Sequence, residues 1–303
     1  MEVVNKSSLI KVTKIWKSKE VSEGDGVKLR RIIGIKAVPD IDPFLMLDHI
    51  DNALLPNGFP DHPHRGFETV TYVTKGKLLH EDFKGHKGEI GEGEIQWMTA
   101  GKGIVHAEMP YSESDPSGGF QLWINLAKEN KMKEPNYQEF KKDKIPVFID
   151  NNTKSQIKII AGNYQNLTGP CKSSTQSSYF DVKMRPNTEF LFEISEDKNG
   201  FLYLFEGDSL IISDYDVIEP LHAASFKTAN EASGFIKFNT KNTPCRFLLV
   251  FGKPIREPVY KYGPFVMNTE EDIEETFSDY RNSRNGFENA KKWRSKIKDL
   301  GEI

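Results

Sequence analysis

Three of the seven histidines fall in two short motifs whose spacing could gather donors around one metal ion. His62 and His64 stand in Pro60-Asp61-His62-Pro63-His64-Arg65-Gly66, and His106 and Glu108 in Gly101-Lys102-Gly103-Ile104-Val105-His106-Ala107-Glu108. Side chains alternate faces along a strand, so residues two apart point the same way and each motif becomes a two-pronged clamp. If the clamps meet, three imidazoles and a carboxylate share an ion and leave coordination positions open. That donor set is borderline to hard and suits Fe, Mn, Co, Ni or Cu, whereas a closed structural zinc site would draw on thiolates that this region lacks. A His-x-His pair alone is weak evidence, because a chain this rich in histidine produces one by chance about 0.14 times. The plain alternative is a loop pair capping backbone groups near Pro60 and Pro63, with His106 a core histidine.

The clamps need strands, and a chain path that returns one to the other. Nine of the 23 glycines lie between residues 58 and 103, the run of tight turns that hairpin-linked strands of one barrel require. Short apolar or alternating runs recur along the chain: Leu9 to Trp16, Ile32 to Val38, Phe67 to Val73, Ile95 to Met98, Phe120 to Leu126, Ile157 to Ala161, Phe190 to Ile194, Phe201 to Phe205 and Phe247 to Phe251. Turn formers such as Gly76, Gly91 to Gly93 and Asp197-Lys198-Asn199-Gly200 separate them, which is the cadence of an antiparallel sandwich or barrel. The polar stretch Lys128 to Lys144 reads as a linker between two β-rich halves. Near the end, Thr269-Glu270-Glu271-Asp272 reads as a capping box, with Ile273, Phe277 and Tyr280 on one helical face. A second helix is expected to carry Phe287, Ala290, Trp293, Ile297 and Leu300 and to stop at Gly301.

Composition excludes several partners. Lys+Arg 41 against Asp+Glu 44 gives a net charge of -3 over 303 residues, so no positive field draws in phosphate backbones and direct nucleic-acid binding is disfavoured. Cys171 and Cys245 have no Cys-x-x-Cys spacing, which suits a reducing compartment and structural roles. The N-terminus lacks the basic-then-apolar pattern of a secretory signal, and the most apolar run, Phe247 to Phe251, is too short to span a bilayer. A soluble, cytoplasmic, monomeric chain is expected, with no membrane partner.

Three further stretches give the motifs their context: Phe59 to Tyr72 around the first clamp, Leu79-His80-Glu81-Asp82-Phe83, and Gln96 to Pro110 around the second. With Arg256-Glu257-Pro258 and Tyr262 to Thr269, they resemble the pirin family of bicupins over nearly the full length. The resemblance implies an all-β fold of two stacked cupin (jelly-roll β-barrel) domains with a short C-terminal helical segment. The expected division is residues 1–140 for a metal-binding domain and 141–303 for a metal-free one with terminal helices. It implies one divalent transition metal held by His62, His64, His106 and Glu108, with iron first and Mn, Co, Ni, Cu or Zn as alternatives. The family is associated with quercetinase-type dioxygenase activity, and in nuclear eukaryotic members with iron-dependent transcriptional co-regulation. The implied partners are therefore a small aromatic substrate and O2, or a protein such as a transcription regulator, with nuclear entry in a eukaryote. The general cupin pattern takes its carboxylate ligand from the position of Glu68, whereas the pirin pattern uses Glu108; a kink at Gly66 would turn Glu68 away, leaving it behind the ligands or at the surface.

Under the enzyme reading Glu108 has a second task, taking the substrate hydroxyl proton as general base. Phe44, Phe59, Met98, Phe120 and Trp123 are candidate walls for an aromatic substrate, with ordinary barrel core as the alternative. Of the remaining histidines, His80 and His86 read as surface or supporting residues, His49 as a packing or hydrogen-bonding residue near the pocket, and His222 as structural.

Overall fold

The computed structural model describes residues 9–228 and 233–297. They fall into two compact units, one of residues 19–40, 44–142 and 255–297 and the other of residues 9–18, 41–43 and 143–254. Each unit pairs a seven-stranded antiparallel sheet with a four-stranded one. No described helix is long and apolar enough to cross a membrane.

In the first unit the larger sheet runs in the order Asn136–Phe140, Ile95–Thr99, Phe67–Lys75, Ser117–Asn125, Phe44–Ala53, Val27–Ile33, Lys19–Glu23. The smaller sheet runs Phe59–His64, Ile104–Pro110, Lys77–Asp82, Lys87–Gly91. Central strands read as continuous apolar or β-branched runs because they are covered on both faces: Phe67 to Val73 are all buried,. Apolar residues on this sheet, such as Phe67, Val70, Leu122 and Ile124, are fully buried and form the barrel wall. At about 25 cal/mol per Å2 of apolar area removed from water, this burial is the main term holding the barrel closed.

Residues 128–142 of the expected linker belong to this barrel. Strand Asn136–Phe140 pairs along its length with Ile95–Thr99, and Lys131 is buried, donating from Nζ to Gly66 O, Asn125 Oδ1 and Val266 O. Three carbonyl-type acceptors satisfy the three protons of a buried ammonium, an arrangement that a polar composition alone does not announce.

The second unit repeats the arrangement. Its larger sheet runs Val12–Lys17, His222–Lys227, Asn199–Glu206, Cys245–Gly252, Ser178–Met184, Gln156–Ala161, Val147–Ile149, and its smaller one Glu189–Ile194, Gly234–Thr240, Leu210–Ile212, Asp216–Ile218. Phe180, Phe192, Phe251 and Tyr164 pack ring on ring in its core. Cys171 and Cys245 are buried free thiols, and burial pushes the Cys171 thiol up to about 12. The His222 ring lies against Pro220 O at 3.1 Å from Nδ1.

The partition departs from a single break at residue 140. Strand Val12–Lys17 pairs with His222–Lys227 in the second unit, and the segment after residue 254 belongs to the first. The helix α1, Glu270–Asn282, carries the expected capping box, with Thr269 Oγ1 accepting from Asp272 N and Asp272 Oδ2 accepting from Thr269 N. Its stripe of Ile273, Phe277 and Tyr280 packs with Phe265 and Phe287 into the first unit's core. The second helix does not form over the described part of its range. Residues 288–292 run as successive turns, Phe287 and Ala290 sit in the same core, and Gly286, at φ +110° against Lys102 O, fixes their entry. Leu300 and Gly301 lie outside the described residues.

Candidate metal centre

The two clamps lie on neighbouring strands. Phe59–His64 and Ile104–Pro110 pair antiparallel, with His106 opposite His62 and Ile104 opposite His64. Between His106 and Glu108 the register slips, so that Glu108 faces Phe59. One extra residue on the first strand makes this a bulge, which re-aims side chains where it occurs. The ligating atoms of His62, His64 and His106 all lie within 4.8 Å of one another. His62 Nε2 and His106 Nε2 are 3.0 Å apart, and Glu108 Oε2 stands 3.9 Å from His106 Nε2.

Burial sets the protonation of these rings. It pushes His62 down to about 4, helped by the neighbouring His106, and His106 down to about 3, helped by His80. His64 is held well below its ordinary value by burial and then by the other two imidazoles. All three are therefore neutral at neutral pH and carry lone pairs. His62 Nδ1 lies 2.8 Å from Pro60 O; that bond places the proton on Nδ1 and turns the Nε2 lone pair toward His106, as in histidines that ligate metals. His106 Nδ1 is buried with no hydrogen-bond partner. Three neutral imidazoles converging edge-on or tilted to one another, with a carboxylate beside them, fit a divalent transition metal better than they fit one another.

The carboxylate is held from the opposite sheet. Thr71 Oγ1 donates to Glu108 Oε1 at 3.1 Å, and Gln121 Nε2 donates to Glu108 Oε2 at 3.0 Å and Oε1 at 3.3 Å. Thr71 and Gln121 face each other across paired strands, so one rung of the large sheet orients the acid of the small one. Sequence reading missed both; a single polar residue inside an apolar strand is the only signal they leave.

Glu68 is not at the surface. It is 1 % exposed, its Oε1 accepts from Thr99 Oγ1 at 2.9 Å, and it stands outside the imidazole cluster. The chain does kink before it, at Gly66, whose φ is +89° and where a Cβ would come within 1.9 Å of Val266 O. The corner carrying His64 is locked from behind. Buried Arg65 donates to Lys102 O, Asn285 O and Asp279 Oδ2, and its guanidinium sits 4.7 Å over the Phe287 ring.

A cavity of about 980 Å3 opens onto His62, His64 and Glu108. Phe59, Trp123 and Met46 line it, with Arg31, Asp48 and Lys261 on its polar side. The Trp123 indole meets the His64 ring edge-on at 5.3 Å and takes Lys261 Nζ over its face at 5.0 Å. Arg31 is fixed by a two-bond fork to Asp48, both at 2.8 Å. Of the other expected walls, Phe44 and Met98 are core. Phe120 stacks on His49 at 4.5 Å, whose Nε2 is 3.0 Å from Asp51 Oδ1. Arg31, Asp48 and Lys261 were not anticipated, although a lone acid within the apolar run Phe44 to Ile50 was a visible sign of Asp48.

Known proteins resemble this chain in sequence and fold. Residues 26–124 match the Pirin family and residues 179–286 the Pirin C-terminal cupin domain. The human protein Pirin is 43% identical over 290 residues, covering 95% of this chain and 98% of its own. A tomato Pirin-like protein (Solanum lycopersicum) is 44% identical over 275 residues, covering 91% and 92%. Among solved structures, a quercetin 2,3-dioxygenase from Acinetobacter baumannii superposes with a TM-score of 0.83 at 28% identity, over 92% of this chain and 99% of that one. The bacterial pirin YhhW of Escherichia coli, solved in complex with nickel(II), shares the fold at a TM-score of 0.61 and 18% identity, over 80% and 99%. A two-cupin chain with the His-x-His and His-x-Glu clamps on adjacent strands of its first barrel, this protein belongs to the pirin family.

Proposed function

We propose that the chain is a metal-dependent dioxygenase of the quercetin 2,3-dioxygenase type, acting on a flavonol or related phenol with O2. The observation that carries this reading is the cavity of about 980 Å3, whose lining includes His62, His64 and Glu108 together with the aromatic side chains of Phe59 and Trp123. Its size is in the range that encloses a ligand of flavonol dimensions. His62, His64, His106 and Glu108 would hold the ion, with iron(II) as the resident metal. When bound, such an ion supplies Lewis acidity and one-electron chemistry with dioxygen.

The chain's own groups do the rest. Phe59 and Trp123 stack the flat substrate and displace water from it. Glu108, which lines the cavity, accepts the proton of the substrate's enolic hydroxyl. Thr71 and Gln121 keep that carboxylate aimed while it does so. Resemblance to the Acinetobacter dioxygenase at 28% identity supports the same assignment.

The test is anaerobic reconstitution with iron(II), then quercetin and oxygen. Ring cleavage with one carbon monoxide per substrate is expected. Glu108→Gln is expected to keep part of the metal and lose the rate. No carbon monoxide from a fully loaded chain would overturn the enzymatic reading and leave a metal-bearing module that presents its state to a protein partner.

A further inference from the structure

The first barrel gathers a second set of ligating side chains that the proposed reaction does not use. His80 comes from strand Lys77–Asp82, His86 from the turn after it, and Glu139 from strand Asn136–Phe140 of the other sheet. One ligating atom of each lies within 4.8 Å of the others. His80 Nε2 is 3.0 Å and His86 Nε2 3.8 Å from Glu139 Oε1. Donors sharing one ion at zinc–ligand distances stand about 3.0–3.5 Å apart, so the observed separations bracket what coordination needs.

His80 is 2 % exposed and its Nε2 faces Glu139 Oε1 as a close ion pair, whereas His86 Nε2 stands too far from that oxygen for a hydrogen bond and His86 Nδ1 is buried without a partner. The surroundings hold the three donors in place. Tyr137 stacks on His86 at 4.0 Å and 14°. Asp82 Oδ1 accepts from the backbone N–H groups of Lys84 and His86, fixing the turn. Gln96 Nε2 donates to Glu139 Oε1 at 2.6 Å. Space beside His80 Nε2 is kept by Gly88, where a Cβ would stand 2.9 Å away. His86 and Glu139 are partly exposed, at 34% and 40%, which gives an ion a way in.

We propose that His80, His86 and Glu139 form a second site for a divalent transition metal, with zinc as its representative, and that the ion pins strand Asn136–Phe140 to the hairpin of Lys77–Asp82 and Lys87–Gly91. Two imidazoles and one carboxylate with water completing the shell is a donor set zinc accepts.

Equilibrium dialysis of the full chain against Zn2+, followed by elemental analysis, tests this. Two zinc ions per wild-type chain are expected. His86→Ala and Glu139→Gln should each bind one, and His62→Ala, damaged at the other centre, should also bind one. The His62→Ala/His86→Ala double variant should bind none, and zinc should raise the melting temperature of His62→Ala but not of the double variant. Should His86→Ala fail to fold, Glu139→Gln carries the comparison, since it keeps the shape of a half-exposed side chain. A wild-type chain with one zinc that neither variant alters, or two zinc ions that survive both substitutions, would overturn the site.

Discussion

At the scale of single residues, the metal clamp was legible because strand periodicity is rigid: residues two apart must share a face, so His62 with His64 and His106 with Glu108 were readable as pairs. What holds the acid was not legible, because Thr71 and Gln121 are common strand residues whose roles depend on a cross-strand rung set by pairing far along the chain. The hydrogen bonds they make give a prediction. Gln121→Leu removes the two hydrogen bonds from the Gln121 amide to Glu108, leaving that of Thr71, while putting an apolar side chain of similar size in the wall, and partners of this kind commonly tune metal affinity by about 10- to 100-fold. Competition with a chromophoric chelator should therefore show weaker binding by that factor with an unchanged far-UV spectrum. Equal affinity would mean that Glu108 needs no such support. A harsher lesion is His62→Ala or His106→Ala, which should abolish metal at this centre while the barrel stays folded, because the wall is built from Phe67, Val70, Leu122 and their neighbours. Metal analysis and circular dichroism together would report it.

Among elements, the capping box announced α1 and its apolar face, since both signals are local. The turns over residues 288–292 imitate the same stripe without the helix, because packing of Phe287 and Ala290 decides there rather than propensity. Nor did anything local reveal that α1 exists to hold the His64 corner through Arg65 and Asp279. Both of those side chains are 1 % exposed, and removing one partner of a buried pair costs about 3–5 kcal/mol because the other charge is stranded. Asp279→Asn should lower unfolding stability by that order in urea. Arg284→Ala removes the half-exposed partner of the same carboxylate and should cost under about 1 kcal/mol. Similar losses from the two variants would contradict the ranking. Lys131 ties the same corner from the other side, and burial pulls its ammonium down to about 8. The unfolded chain holds that proton to about 10.4, so between these values it binds more protons than the folded one and stability rises with pH. Relative to Lys131→Met, the wild type should gain on the order of 3 kcal/mol from pH 8 to pH 10.5. A flat difference across that window would show that the three carbonyl-type acceptors keep the group charged.

For the whole molecule, two β-rich halves were visible from the spacing of strands and turns, but the true partition was not. Pairing of Val12–Lys17 with His222–Lys227 joins residues more than 200 apart, and no window of sequence records such a contact. Each unit has its own apolar core, so a ligand of one should act on that one alone. A metal at 1,000 times its dissociation constant adds about 4 kcal/mol to the unit that binds it. Trp16 reports on the second unit, and Trp97 and Trp123 on the first. Chemical denaturation of single-tryptophan variants should show metal moving the first transition and not the other; equal movement of both would show that they melt together. The exchanged ends carry a practical consequence for anyone dissecting the gene. Cutting at residue 142 would yield an upstream fragment deprived of the tail that braces His64, and a downstream fragment missing an edge strand that the upstream piece still carries. Neither half is then a clean stand-in for its barrel, and a faithful minimal version would have to graft residues 255–297 onto the former and residues 9–18 onto the latter.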